Sequence, residues 1–225
     1  MLGLDDHIAA MGGGETLLVV LAVAGLLGLR HATDPDHLTA VSTLIAGEGP
    51  TAGVRQARRL GLAWGGGHAL TLCVLGMPIV LFDAYLPAEV ATLAECAIGL
   101  LIVALALRVL VRWRRGCSTS QGEGDAARRS PYQAFSIGLL HGVGGSAGVG
   151  VLLLAAIPDH LRAMLMLVVF SACTAVAMAA ASASCGWVLV SHARSGAFAP
   201  VLGSVSLAFG VWYFLAALDA VPYAL

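Results

Sequence analysis

From Ala163 to Val190 the chain runs for 28 residues without an Asp, Glu, Lys or Arg, and from Leu60 to Phe82 for 23. Crossing the hydrocarbon core of a bilayer takes about 20 helical residues, and only a structure that pairs its own backbone groups is stable there. Runs of this length read as transmembrane helices. Composition agrees, with 59% of residues hydrophobic and 11% charged, far from the usage of soluble domains. The expected fold class is all-α, a polytopic membrane protein forming a single transmembrane domain over residues 1–225.

Six spans are expected. Residues 1 to 15 hold Asp5, Asp6, His7 and Glu15 but no basic residue, which is not the n-region of a signal peptide. The first apolar segment begins at Thr16, is interrupted by charged residues, and resumes from Leu38 to Ala46 before Gly47-Glu48-Gly49-Pro50, so it reads as one broken helix. The others are Leu60 to Phe82, Val90 to Leu107, about Tyr132 to Ile157, Ala163 to Val190 and Ala197 to Leu218, with Pro158-Asp159-His160-Leu161-Arg162 as a tight loop. A linker over about 108–131 carries Arg108, Arg112, Arg114, Arg115, Arg128 and Arg129 around a Ser- and Gly-rich middle, and divides the chain into halves of about 16–107 and 132–218. All 12 basic residues are arginine, and 10 of them fall on the cytoplasmic side if both termini lie outside. The positive-inside rule therefore orients the expected multi-pass inner-membrane protein with N-terminus and C-terminus outside. Of the five cysteines, four lie in apolar segments and none forms a CxxC pair, so they read as small core residues.

Chemistry concentrates in Arg30-His31-Ala32-Thr33-Asp34-Pro35-Asp36-His37. One reading is a helix end, with Asp34 or Asp36 as N-cap and Pro35 as breaker. A cap needs one such residue, whereas this stretch supplies five charged or imidazole groups at the end of an apolar run, where ionisable residues mark functional sites. On an unbroken helix His31, Asp34 and His37 would share an arc of about 120°, with Asp36 pointing away. Pro35 lacks an N–H and crowds the carbonyl of His31, so the break falls inside the motif and lets Asp36 and His37 swing toward His31. Transporters build ion sites at such interruptions. Imidazole with carboxylate suits nickel, cobalt or zinc better than calcium or magnesium.

The second half carries a faint copy. Gly28-Leu29-Arg30-His31 matches Gly138-Leu139-Leu140-His141, each with a histidine deep in the first helix of its half. With three spans per half, the halves must be oppositely oriented, so a 3+3 inverted repeat is expected. His141 to Gly150 holds five glycines in ten residues, which suits close helix packing but leaves His141 without a role.

His31, four residues, then Asp36-His37 resembles the HX4DH signature of the nickel/cobalt transporter (NiCoT) family and its NicO relatives, and Arg30 to His37 is similar to that motif over its whole length. His68 after Gly65-Gly66-Gly67, and His141-Gly142 followed by Gly-Ser-Ala, resemble the smaller six-helix, urease-accessory-like branch. The resemblance implies a secondary transporter, not an enzyme, that moves Ni²⁺ or Co²⁺ across the cytoplasmic membrane. It implies that His31, Asp36 and His37 lie on the metal path with Asp34 and His68 close by. His68 is counted with the metal ligands; Arg30, Asp34, Glu95, His141 and Ser146 are counted as residues that support or line the path. Two departures stand out: the motif lies in the first span, and Gly144-Gly145-Ser146 replaces an Asp and a Glu of larger members, leaving the ligand number and the metal open.

Arg30 is expected to pair with Asp34 or Glu95 or to snorkel to an interface; alternatively it replaces the metal's charge when the site is empty. Glu95 is expected first as an ion-pair partner. His7, His160 and His192 read as surface residues. An intramembrane metalloenzyme and a metal-delivery or assembly subunit remain alternatives, the first weakened by the lack of HExxH. No cofactor is expected beyond the transported ion, no Walker A loop suggests ATP use, and the partners are a divalent metal and the bilayer, with no nucleic acid; a homo-oligomer stays open. Because neutral imidazole is the ligand form, metal affinity is expected to fall as His31 and His37 protonate below about pH 6.5, which metal titrations on either side of that pH check.

Overall fold

The computed structural model describes residues 14–48, 53–82, 87–115, 130–144, 159–191 and 198–221. Among them are seven helices: α1 (Gly14–His31), α2 (Pro35–Ala46), α3 (Gly53–Phe82), α4 (Ala88–Arg114), α5 (Pro131–His141), α6 (His160–Ser191) and α7 (Phe198–Ala217). Four of these, α3, α4, α6 and α7, are long and apolar enough to cross a membrane, and α1 contributes a shorter apolar stretch, Leu21–His31. The chain is therefore an all-helical membrane protein over the described residues.

Several element boundaries differ from the sequence expectation. Arg55, Arg58 and Arg59 lie exposed inside α3, and half-buried Arg108 and Arg112 with exposed Arg114 lie inside α4, rather than in loops. No Gly or Pro intervenes between Leu107 and Arg115, and Val109, Leu110, Val111 and Trp113 continue the apolar pattern, so nothing stops the helix there. Of the tight loop expected at 158–162, residues 160–162 open α6, and Pro158 lies outside the described residues. Asp159 Oδ1 accepts the N–H groups of Leu161 and Arg162 at 3.0 and 3.2 Å, an N-cap that the spacing Asp-x-x allows. The expected continuous fourth span stops at His141 and turns over 142–144, where Gly142 and Gly144 weaken the helix; residues 145–157, with Ser146, lie outside the described set. His7 and His192 lie outside it too.

Small residues set the packing. The most extensive interface joins α3 to α6, with α5 against α3, α1 against α6 and α4 against α7. A Cβ at Gly61 would overlap Ser182, and one at Gly65 would come within 2.8 Å of the Ala175 carbonyl oxygen, so these helices approach at backbone distance. Gly28 lies against the Phe170 carbonyl of α6, and Gly138 against the Trp64 carbonyl of α3. The short α2 wedges between α4, α6 and α7, its Ala40, Val41, Leu44 and Ile45 joining Leu60, Ile98, Ile102 and Met178 in the main core. Outward faces carry exposed Leu26, Leu62, Leu70, Val74, Leu93, Val176 and Val205, a lipid-compatible belt. The four described cysteines, Cys73, Cys96, Cys173 and Cys185, are half-buried free thiols.

The glycine contacts separate two neighbours sharply. A Cβ at Gly67 would press on the Phe135 carbonyl and lie 3.0 Å from the Leu139 nitrogen, whereas one at Gly66 would meet nothing within 4 Å. Gly67→Ala is expected to destabilise the protein by about 1–3 kcal/mol and Gly66→Ala to leave it unchanged or slightly firmer. Thermal unfolding of both variants in detergent checks this.

Candidate metal centre

The site begins at the break between α1 and α2. Pro35 cannot donate to the carbonyl of His31, so α1 ends there, and that carbonyl accepts Asp34 N–H in a turn at 3.1 Å. Asp34 takes the extended N-cap conformation (φ −61°, ψ 145°) and Pro35 opens α2, where its missing N–H leaves no gap. Asp34 holds the cap position without capping: its side chain makes no cap hydrogen bond and turns back on α1. There Oδ2 accepts His31 Nδ1–H at 3.1 Å, and Oδ1 lies 3.5 Å from Arg30 Nη1.

Restarting the helix at Pro35 resets the phase of α2 relative to α1. Asp36 and His37 both point inward and join His31, with the His31 and His37 rings 4.6 Å apart. His68, from the middle of α3, brings Nε2 to 3.1 Å from His31 Nε2. His141, the last residue of α5, brings Nε2 to 3.2 Å from Asp36 Oδ2, while Asp36 Oδ1 accepts His37 Nδ1–H at 3.2 Å. All five residues are at most 4% exposed. His31, His37 and His68 can each place one ligand atom within 4.8 Å of the others, and so can Asp36, His37 and His141.

Hydrogen-bond valence fixes which nitrogens are available. A carboxylate only accepts, so Asp34 places the His31 proton on Nδ1 and Asp36 places the His37 proton on Nδ1. Each histidine then offers Nε2 as a lone pair, supported from behind by a carboxylate, the arrangement that orients metal-bound imidazole. Two nitrogens bound to one ion at about 2.0–2.1 Å stand roughly 3.0–3.4 Å apart, and the His31–His68 separation of 3.1 Å falls in that interval. His37 Nε2, His68 Nδ1 and His141 Nδ1 are buried without a hydrogen-bond partner. Such atoms are costly in an apolar interior, and a group that binds imidazole would relieve them.

The residues counted from sequence fall into three groups. His31, Asp36, His37, His68 and His141 form one cluster, with Asp34 directly behind His31. Arg30 stands outside, its side chain 76% exposed and directed at Asp34, so its partner is Asp34 and not Glu95. Among the described residues Glu95 makes no ion pair; it sits half-buried on α4, where Gly144 packs against its backbone. Sequence reasoning missed the aromatic walls. Phe170 stacks on His31 with centroids 5.4 Å apart, and Trp64 meets His37 at 5.8 Å and His141 at 5.6 Å. Trp64 precedes His68 by one helical turn, a spacing that could have signalled it. Phe170 has no such signal. His160 is exposed and stands outside the cluster, its Nδ1 donating to the Val80 carbonyl at 2.8 Å.

The chain is similar to the urease accessory protein UreH of Bacillus sp. (strain TB-90), with 26% identity over 216 residues, covering 88% of this chain and 91% of that protein. No family model matches the chain, and no solved structure matches it.

The support given by Asp34 is directly testable. Asp34→Ala removes the acceptor that orients His31 while leaving all five cluster side chains in place, and is expected to weaken Ni²⁺ binding about 10–100-fold. Isothermal titration of the detergent-solubilised variant beside the wild type measures it.

Proposed function

We propose that this protein is a secondary transporter that carries Ni²⁺ or Co²⁺ across the cytoplasmic membrane, through the cluster of four histidines and Asp36. The observation that carries the reading is that this cluster is buried inside a membrane bundle and is completed by both halves: His141 of the second half meets Asp36 of the first. Intramembrane ionisable groups that face the bundle interior mark ion paths. Four imidazoles and a carboxylate match a borderline divalent metal. The likeness to a urease accessory protein supports a nickel-related accessory or transport role.

An inverted 3+3 repeat of six spans accounts for the pairing of helices. Its supports are matching details on either side. α1 ends on His31, with Gly28 against the carbonyl of Phe170, whose ring covers His31; α5 ends on His141, with Gly138 against the carbonyl of Trp64, whose ring covers His141. The first helix of each half thus rests on the second helix of the other, and the third helices, α4 and α7, pair with each other. In this reading the termini lie outside, the arginines of α3 and α4 face the cytoplasm, and rocking of one half on the other alternates access.

The relative's name also favours a second reading, a metal-delivery subunit that binds nickel without moving it. Uptake of radiolabelled Ni²⁺ into proteoliposomes separates the two. Wild-type flux is expected, with loss to background in His37→Ala and retention in His160→Ala at matched incorporation. Metal binding without wild-type flux would decide for delivery.

A further inference from the structure

Resting on the transport reading, we propose that the cluster is two overlapping metal positions that share His37, and that a single ion passes between them. Position one is His31, His37 and His68, all imidazole and all from the first half. Position two is Asp36, His37 and His141, which adds a carboxylate and draws one ligand from the second half. Position one can hold an ion whatever the second half does. Position two exists only while α5 is docked against the first half.

The geometry argues for alternation over double occupancy. A neutral His37 has one lone pair. While Nδ1–H donates to Asp36 that lone pair is on Nε2, on the side away from Asp36. Serving position two requires the proton to leave Nδ1 or the ring to turn, so the ring serves one ion at a time. Two dications sharing a ligand in this apolar interior would also repel each other strongly. The ring of His37 stands between the two positions, its centroid 4.6 Å from that of His31 and 4.5 Å from that of His141, with interplanar angles of 68° and 69°. His68 and His141, the outer ligands of the two positions, have their ring centroids 6.1 Å apart and make no hydrogen bond with each other. Each outer histidine keeps a buried, unpartnered Nδ1, which can carry the proton while Nε2 turns to the metal. An ion leaving position one for position two exchanges neutral ligands for a carboxylate, and is released when movement of the second half withdraws His141.

Co²⁺ binding to the purified full chain tests this, because its visible spectrum reports ligand type and number. The wild type is expected to bind one Co²⁺ per chain at saturation. His68→Gln and His141→Gln are each expected to retain one Co²⁺, with spectra that differ from one another, yet to lose proteoliposome flux at least about tenfold. His37→Asn should retain none while keeping the thermal unfolding profile of the wild type. Two ions per wild-type chain would overturn the proposal, as would loss of binding in both glutamine variants, which describes one five-ligand site, or full flux in either. If the wild type binds metal without moving it, the transport reading falls, while the spectra of the two glutamine variants still decide whether there are two positions.

Discussion

Five ionisable side chains withdrawn from water in so apolar a bundle must satisfy one another, and this requirement organises the centre of the molecule. Asp36 is the hinge of that arrangement. It is buried in the first turn of α2, and its two oxygens are taken by His37 beside it and by His141, 105 positions along the chain. Leaving either oxygen bare in a low-dielectric interior would cost several kcal/mol. The docking of α5 therefore depends on a polar contact as well as on shape, and the two halves of the chain are joined at the place where the chemistry is concentrated.

Shape does the complementary work. Side chains as short as Asp36 can reach His141 only if the helices around them nearly touch. Gly28, Gly61, Gly65, Gly67 and Gly138 allow it, each lying against the backbone or a short side chain of a neighbouring helix. Two threonines pin these approaches. Thr174 Oγ1 donates to the Gly28 carbonyl at 3.1 Å, and Thr71 Oγ1 to the Leu139 carbonyl at 3.0 Å; each reaches across to the opposite half, and each carbonyl lies within three residues of a site histidine. Close packing and the fixed orientation of the imidazoles are thus one property.

Much of this was legible in the sequence because local chemistry decides it. Apolar runs beyond 20 residues are helices in a membrane, and Pro35, between Asp34 and Asp36 and four residues after His31, forces a break whose position is set by a missing N–H. The spacing from His31 to His37 then brings the motif residues together once the phase is reset. What was not legible depends on tertiary contact. The resemblance pointed to His68 without a partner for it, and only the packing of α3 sets it against His31. His141 was visible as a repeated four-residue pattern, but not its contact with Asp36. The apparent loop arginines of α3 and α4 are helical because charge alone does not end a helix. In the loop expected at 158–162, Asp159 is a helix cap because it finds two amides that sequence leaves ambiguous.

Among the described residues, α1 and α5 stop on site histidines and α2 starts there. Each helix end carries about half an elementary charge from its aligned peptide dipoles, negative at the C-terminus and positive at the N-terminus. The two negative ends and one positive end of these three helices together contribute a net negative background of peptide origin, before any side chain is considered. These three helix ends thereby favour cations over anions at this point in the bundle, and substitutions of the ligands would leave their contribution in place.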